Sequence, residues 1–183
     1  MPSNSELYLA HLQEIFGDED AIHQADSVDG KPAVSVFVYQ NVPEEGMITG
    51  VTYGLSISPH PEWKLARPEL IVSVQSMDIA WPCAAADFAA YFQGKKRFIY
   101  GDVFTSDDPL APDTRMDGFL VFAQSILPKE LASVQLNDYK VHLSQLYPIY
   151  REELAVYDRI GLEAFWKHES FDMYDITRDP IRF

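Results

Sequence analysis

The sequence ITGVTYGL at residues 48–55 is followed by ELIVSVQS at residues 69–76 and by WPCAAADFAAYF at residues 81–92. The first two segments are rich in β-branched residues, which favour strands, and the second has the composition of a central strand. In the third, Pro82 suits a first helical turn, and the alanines form a narrow face that can lie close on a sheet. These segments therefore predict two strands and a covering helix, and we expect the rest of the chain to pack around them.

The residues before this stretch predict a helix and a hairpin. Ser3 and Glu6 have the spacing of a capping box, and apolar residues follow at helical intervals. Residues 18–29 are acidic, and we expect them to form a solvated loop. The alternating segment at residues 34–39 predicts a strand, and the turn at residues 41–46 leads from it into the next strand.

The residues after the stretch predict further strands and a final helix. Strand candidates are residues 97–104, 118–124 and 139–146. Pro148 is predicted to open an amphipathic helix over residues 149–159, with a break at Gly161 and a continuation over residues 162–168. The pattern predicts a single α+β domain over residues 1–183, with a mixed, largely antiparallel sheet and packed helices.

Composition and charge narrow the classes of function. The chain has 183 residues, enough for one domain with a substantial core. Its 14 basic and 28 acidic residues give a net charge of −14, which argues against nucleic-acid and membrane partners and favours a basic protein partner. Solubility alone is the alternative explanation of this charge. The single cysteine, Cys83, and a start without a signal peptide predict a cytoplasmic protein.

No motif predicts catalysis, a metal or a cofactor. The five histidines lack metal-binding spacing, and no nucleophile elbow, phosphate-binding loop or dinucleotide fingerprint is present. Cys83 lies in a predicted first helical turn, where a thiol can be activated, but its apolar neighbours favour a structural thiol. Four carboxylates could hold a divalent cation or form a solvated acidic loop: Asp102, Asp107, Asp108 and Asp113.

Two loops contain the candidate partner-binding residues. Trp63 lies in a polar, proline-flanked loop that also contains His60, and it is either a lid packed on the sheet or an exposed anchor for a partner. Asp107 and Asp108 are the acidic candidates in the second loop. We therefore predict a protein-binding role for Trp63, His60, Asp107 and Asp108.

The order of several short motifs resembles the suppressor of fused family in its short bacterial form. The motifs are Tyr53-Gly54-Leu55-Ser56, Arg67-Pro68-Glu69-Leu70-Ile71-Val72-Ser73, Trp81-Pro82, Gly101-Asp102, Pro109-Leu110, Phe119 to Phe122, Tyr147-Pro148 and Asp175-Ile176-Thr177-Arg178. The resemblance implies a non-enzymatic, protein-binding α+β domain. Animal members grip a peptide between two domains, and this sequence ends at Phe183 without the second domain, so the resemblance supplies no partner-contacting residue.

Three hypotheses follow for the function. The first, which the resemblance to short bacterial relatives implies, is an immunity protein that binds and neutralises a cognate toxin, a basic toxin being the natural partner of an acidic inhibitor. The second is a metal-assisted hydrolase using Asp102, Asp107 and Asp108. The third is a regulatory subunit of another complex.

Overall fold

A computed structural model describes all residues from Met1 to Phe183. Its strands are β1 (Ala21–Ala25), β2 (Val34–Gln40), β3 (Ile48–Tyr53), β4 (Arg67–Val74), β5 (Val103–Thr105), β6 (Gly118–Ala123), β7 (Ser133–Gln135) and β8 (Lys140–Ile149). Its helices are α1 (Asn4–Phe16), α2 (Ala80–Phe92) and α3 (Leu154–Trp166). The strands form one eight-stranded sheet in the order β1-β2-β3-β4-β8-β6-β5, and β7 also pairs with β8. The α+β class predicted from the sequence is confirmed.

Helix α2 covers one face of the sheet. Its alanines and Trp81 are buried against the inward residues of β2, β3 and β4. A Cβ atom on Gly50 of β3 would lie 2.7 Å from the Cβ of Pro82, so only glycine allows α2 to approach so closely. The predicted arrangement of two strands under an alanine-rich helix is confirmed, with β3 and β4 each ending two residues earlier than expected.

Helices α1 and α3 lie on the opposite face, over different parts of the sheet. The capping box of α1 is present, since Ser3 and Glu6 bond each other's backbone amides. Tyr8 of α1 is fully buried and donates a hydrogen bond to the Thr52 carbonyl at 2.8 Å. Helix α3 packs on β6 and β8, and it breaks as predicted at Gly161, where φ is +79°. No helix has the length and apolar character needed to cross a membrane.

Three local predictions are wrong, two because pairing with a distant strand prevails over local pattern and one because a local hydrogen bond forms a turn. Residues 21–25 of the acidic segment form β1, whose backbone pairs with β2 although only Ala25 is buried. The predicted strand at 97–104 is mostly a turn, since the Asp102 carboxylate accepts a hydrogen bond from the Ile99 amide and β5 begins only at Val103. Pro148 does not open a helix.

Strand β8 continues through Pro148 to Ile149, and α3 begins only at Leu154. The parallel pairing of β8 with β4 ends at Leu146, so the missing amide of Pro148 removes no hydrogen bond from that pair. All other strand pairs are antiparallel.

Candidate partner-binding surface

Strand β5 forms one edge of the sheet. It pairs with β6 alone, from Val103 opposite Leu120 to Thr105 opposite Gly118, and no strand of this chain pairs with its other side. The free backbone donors and acceptors of an edge strand can pair with a strand from another protein. The β5 edge is therefore the first element of a candidate binding surface.

An open cleft of about 630 Å³ lies at the end of β5, between α2 and the segment that follows β5. We call it the aromatic cleft, because Phe88, Tyr91 and Phe92 of α2 line it beside Thr105. The rings of Phe92 and Phe104 stack at 5.1 Å, which fixes the helix against the strand. Tyr91 is 55% exposed, so the cleft offers a partner aromatic surface that is already in contact with solvent.

The aromatic cleft also contains two carboxylates and one arginine. Asp107 is exposed and lies 3.3 Å from the Arg151 guanidinium. Asp87 of α2 has no ion-pair partner, and burial together with the neighbouring charge of Asp26 raises its pKa. Asp87 and Asp107 therefore give the cleft two carboxylates against one arginine.

A second cleft, of about 550 Å³, lies at the start of β5. We call it the charged cleft, because it is lined by His60, Glu62, Lys95, Lys96, Arg97, Asp102 and Asp158, with Val103 and Phe104 of β5. Asp102 accepts hydrogen bonds from the Arg97 guanidinium at 3.0 Å and from the Ile99 amide at 3.2 Å. This pairing fixes the turn that leads into β5.

The four residues predicted to bind a partner lie beside β5 in three different settings. Asp107 lines the aromatic cleft, and Asp108 follows it in an exposed position. His60 lines the charged cleft. Trp63 is half-buried and donates its indole N–H to the Arg97 carbonyl at 2.6 Å. Of the two alternatives drawn from the sequence, a packed lid and an exposed anchor, the structure shows the packed lid.

Sequence reasoning missed Asp87 and the β5 edge itself. Asp87 is the one charged residue in α2, and an acid among alanines is a signal that could have identified it. The edge could not be identified, because strand order depends on pairings between distant residues.

Three of the four carboxylates considered for a cation site have separate partners. Asp102 bonds Arg97, Asp107 pairs with Arg151, and Asp113 accepts the indole N–H of Trp81 at 3.0 Å. No three His, Cys, Asp or Glu side chains come together in a group that could hold a metal ion. The structure gives the hydrolase hypothesis no supporting geometry.

The Cys83 thiol has the electrostatics of a structural residue. Burial and the negative charges of Asp87 and Asp78 raise the pKa of the thiol. A cysteine nucleophile requires the opposite shift, towards the thiolate.

Sequence reasoning also missed a fully buried carboxylate, that of Glu69 on β4. Its carboxylate accepts hydrogen bonds from the Thr52 hydroxyl at 2.7 Å, the Gly54 amide at 2.9 Å, and the Ser56 amide and hydroxyl at 2.9 and 2.6 Å. Burial raises its pKa, and these hydrogen bonds oppose the rise. Gly54 itself has φ of +139°, and a Cβ there would lie 2.4 Å from the Ala33 carbonyl oxygen. Glu69 therefore fixes the turn after β3 and is closed to substrate.

A second buried carboxylate, that of Glu153, holds the C-terminal segment. The Arg178 guanidinium donates to both of its oxygens, at 2.5 and 2.9 Å. The amides of Tyr150 and Ile181 donate to it at 2.9 and 2.8 Å. With all four donors inside the protein, Glu153 is a structural anchor for the segment that follows α3.

Comparison with known proteins gives one family and one fold. The family model described as suppressor of fused protein (SUFU) matches residues 30–179. No curated protein matches this chain.

Three solved structures share the fold. A SUFU homolog from Neisseria gonorrhoeae FA 1090 has a TM-score of 0.72 at 18% identity, over 94% of this chain and 93% of that chain. A chain of the Sufu-Fu complex has a TM-score of 0.66 at 14% identity, over 99% of this chain and 92% of that chain. Drosophila Suppressor of Fused has a TM-score of 0.66 at 16% identity, over 97% of this chain. This chain spans 49% of the length of the Drosophila chain.

The residues of the family match include β2 to β8, both clefts and both buried carboxylates. The ordered motifs described above lie within the same residues. The chain belongs to the suppressor of fused family.

Proposed function

We propose that this chain is a non-enzymatic, cytoplasmic protein-binding domain that acts as an immunity protein and neutralises a basic toxin. Membership of the suppressor of fused family supports the binding class. One chain of the Sufu-Fu complex has the same fold as this chain. Because that structure is a complex of two proteins, it supports a protein as the partner. The toxin as partner rests on the resemblance to short bacterial relatives and on the net charge of −14.

The observation that carries this proposal is the β5 edge between its two clefts. An extended segment of the toxin pairs with the free side of β5, and its side chains enter the charged cleft near the start of β5 and the aromatic cleft near its end. Main-chain hydrogen bonds supply affinity in such an arrangement, and the clefts supply specificity.

The acidic residues of the surface select a basic toxin. Asp87, Asp107 and Asp108 present negative charge in and beside the aromatic cleft, and Arg151 neutralises only part of it. The negative potential of the whole chain accelerates the encounter with a basic surface, and added salt weakens this attraction. The bound domain inhibits by covering the toxin's working surface, so it requires no cofactor.

The test is a charge reversal on this surface with a matched control. Asp107→Lys/Asp108→Lys reverses charge beside the aromatic cleft, and Glu14→Lys/Glu130→Lys makes the same change in net charge at exposed sites outside both clefts. We expect the first variant to weaken binding to the toxin encoded beside this chain by about 10-fold or more, and to lose protection on co-expression. We expect the control to change binding by less than about 3-fold.

Equal losses in both variants would mean that total charge acts without a defined surface, contrary to the proposal. Absence of protection by the unaltered chain would remove the immunity role. A pull-down from native lysate then tests the regulatory hypothesis, because a subunit of another complex co-purifies with that complex and not with a toxin.

A further inference from the structure

The other edge of the sheet, β1, is also unpaired on its outer side. β1 pairs in regular register with β2, from Ala21 opposite Val38 to Ala25 opposite Val34, and it is the last strand in the sheet order. It lies before the residues matched to the family model, which begin at residue 30. This edge is therefore a separate surface, at the opposite end of the sheet order from β5.

The β1 edge lacks the features that protect exposed strands from pairing. Edge strands are commonly protected by a lysine, a proline, a bulge or a covering loop. The sequence of β1, AIHQA, contains no charge and no proline, and its pairing with β2 contains no bulge. Three consecutive residues, Ile22, His23 and Gln24, are exposed, and Ile22 is 52% exposed. A neighbouring strand could therefore reach both its backbone and its side chains.

Acidic residues lie on both sides of this neutral strand. Asp18, Glu19 and Asp20 precede β1, and Asp26 follows it, while Asp29 is paired with Lys95 at 3.3 Å. Pairing of β1 with a second copy of itself, antiparallel about His23, would place Asp20 opposite Asp26 of the other copy. Like charges opposite each other destabilise a strand pair, so this charge pattern opposes self-association.

We propose that the β1 edge accepts an extended segment of a protein partner that is neutral and β-branched in its middle and has lysine or arginine at both ends. The neutral middle pairs with Ile22, His23 and Gln24, and the basic ends face the acidic residues on either side. The proposal is independent of the toxin-binding role of β5, since the two surfaces have no residue in common.

The experiment measures amide hydrogen exchange in the whole chain with a synthetic peptide that has lysine pairs at its ends and alternating valine and threonine between them. We expect slower exchange at residues 22–24 when the peptide is bound. A peptide with glutamate pairs in place of the lysines is expected to give no such protection. Added salt is expected to weaken binding of the lysine peptide.

A variant and its control test the side-chain contact. Ile22→Lys places a cation within the edge strand and is expected to weaken binding of the peptide by about 5-fold. Leu65→Lys makes the same change at a side chain that is 94% exposed between β3 and β4, and is expected to leave affinity within about 2-fold. Gln24→Lys replaces the first variant if Ile22→Lys does not fold.

Three results would overturn the proposal. Protection at residues 103–105 without protection at 22–24 would assign the peptide to β5. Binding without protection at either edge would show that charge alone attracts it. Slow amide exchange at residues 22–24 without peptide at high protein concentration, together with a dimer in sedimentation, would assign the edge to a second copy of the chain.

Discussion

Two buried glutamates hold two irregular segments to the same sheet, by different means. Glu69 fixes the turn after β3 with hydroxyl and amide donors and no cation. Glu153 fixes the C-terminal segment with a guanidinium and two amides. The comparison shows that a fully buried carboxylate is accommodated wherever every oxygen is hydrogen-bonded, with or without an opposite charge.

Both glutamates bond to residues of the motifs that resemble the suppressor of fused family. Glu69 belongs to the motif at residues 67–73 and bonds to residues of the motif at 53–56, and Glu153 bonds Arg178 of the last motif. The partner-binding candidates Asp87, Asp107 and Asp108 lie outside all of these motifs. The motifs therefore consist mainly of scaffold residues, and these three candidates are separate from them.

The largest expected effect comes from breaking the buried ion pair. Arg178→Met leaves the Glu153 carboxylate buried without its cation, and we expect the free energy of unfolding to fall by about 3–5 kcal/mol. Arg182→Met is the control, because Arg182 is exposed and lies 3.7 Å from Glu152, a surface pair worth less than about 1 kcal/mol. Urea unfolding at neutral pH measures both, and equal losses would contradict the assignment.

Removing the acceptor in the other region is expected to cost less. Glu69→Leu leaves two hydroxyl and two amide donors without an acceptor, and we expect a loss of about 3 kcal/mol. Glu69→Gln keeps the shape and one carbonyl oxygen, and we expect a loss of about 1 kcal/mol. The same unfolding measurement compares the two. If the Glu69→Leu variant were as stable as the Glu69→Gln variant, the hydrogen bonds to Glu69 would contribute nothing to stability.

The smallest expected effect is a dependence of stability on pH. Burial raises the folded-state pKa of Glu69, so the folded protein keeps this proton to higher pH than the unfolded chain does. The resulting stabilisation is complete below the ordinary glutamate pKa of about 4.3 and is lost as pH rises through the folded-state pKa. Stability of the unaltered chain relative to Glu69→Gln, which has no titrating group there, should therefore decline above about pH 4.3. A rise with pH would mean that the hydrogen bonds outweigh burial.

The parts of the fold that depend on nearby residues were predicted from the sequence. The capping box of α1, the hairpin of β2 and β3, the helix after Pro82 and the break at Gly161 each depend on a few consecutive residues. Strand β1 and the extension of β8 through Pro148 were not predicted, because they depend on hydrogen bonding to another strand, β2 for β1 and β6 for β8. Local pattern carries no information about that partner.

The candidate surface was predicted only in part. Asp107, Asp108 and His60 were proposed because charged or polar loop residues between strands are natural binding candidates, and their partner-binding role stays a prediction. The clefts themselves depend on how α2 and α3 lie beside β5, which the sequence does not reveal. The partner-binding role of Trp63 stays a prediction, with its side chain serving as a lid over the turn that contains Arg97.

The parallel pairing of β4 with β8 has a consequence for synthesis of the chain. β4 lies in the middle of the sheet and is buried along all but its first residue, yet its second neighbour begins only at Lys140. While the ribosome adds the intervening residues, an apolar strand stands with one side unpaired. A chain interrupted before β8 would therefore expose β4 to aggregation, and correct folding requires that translation continue past β8.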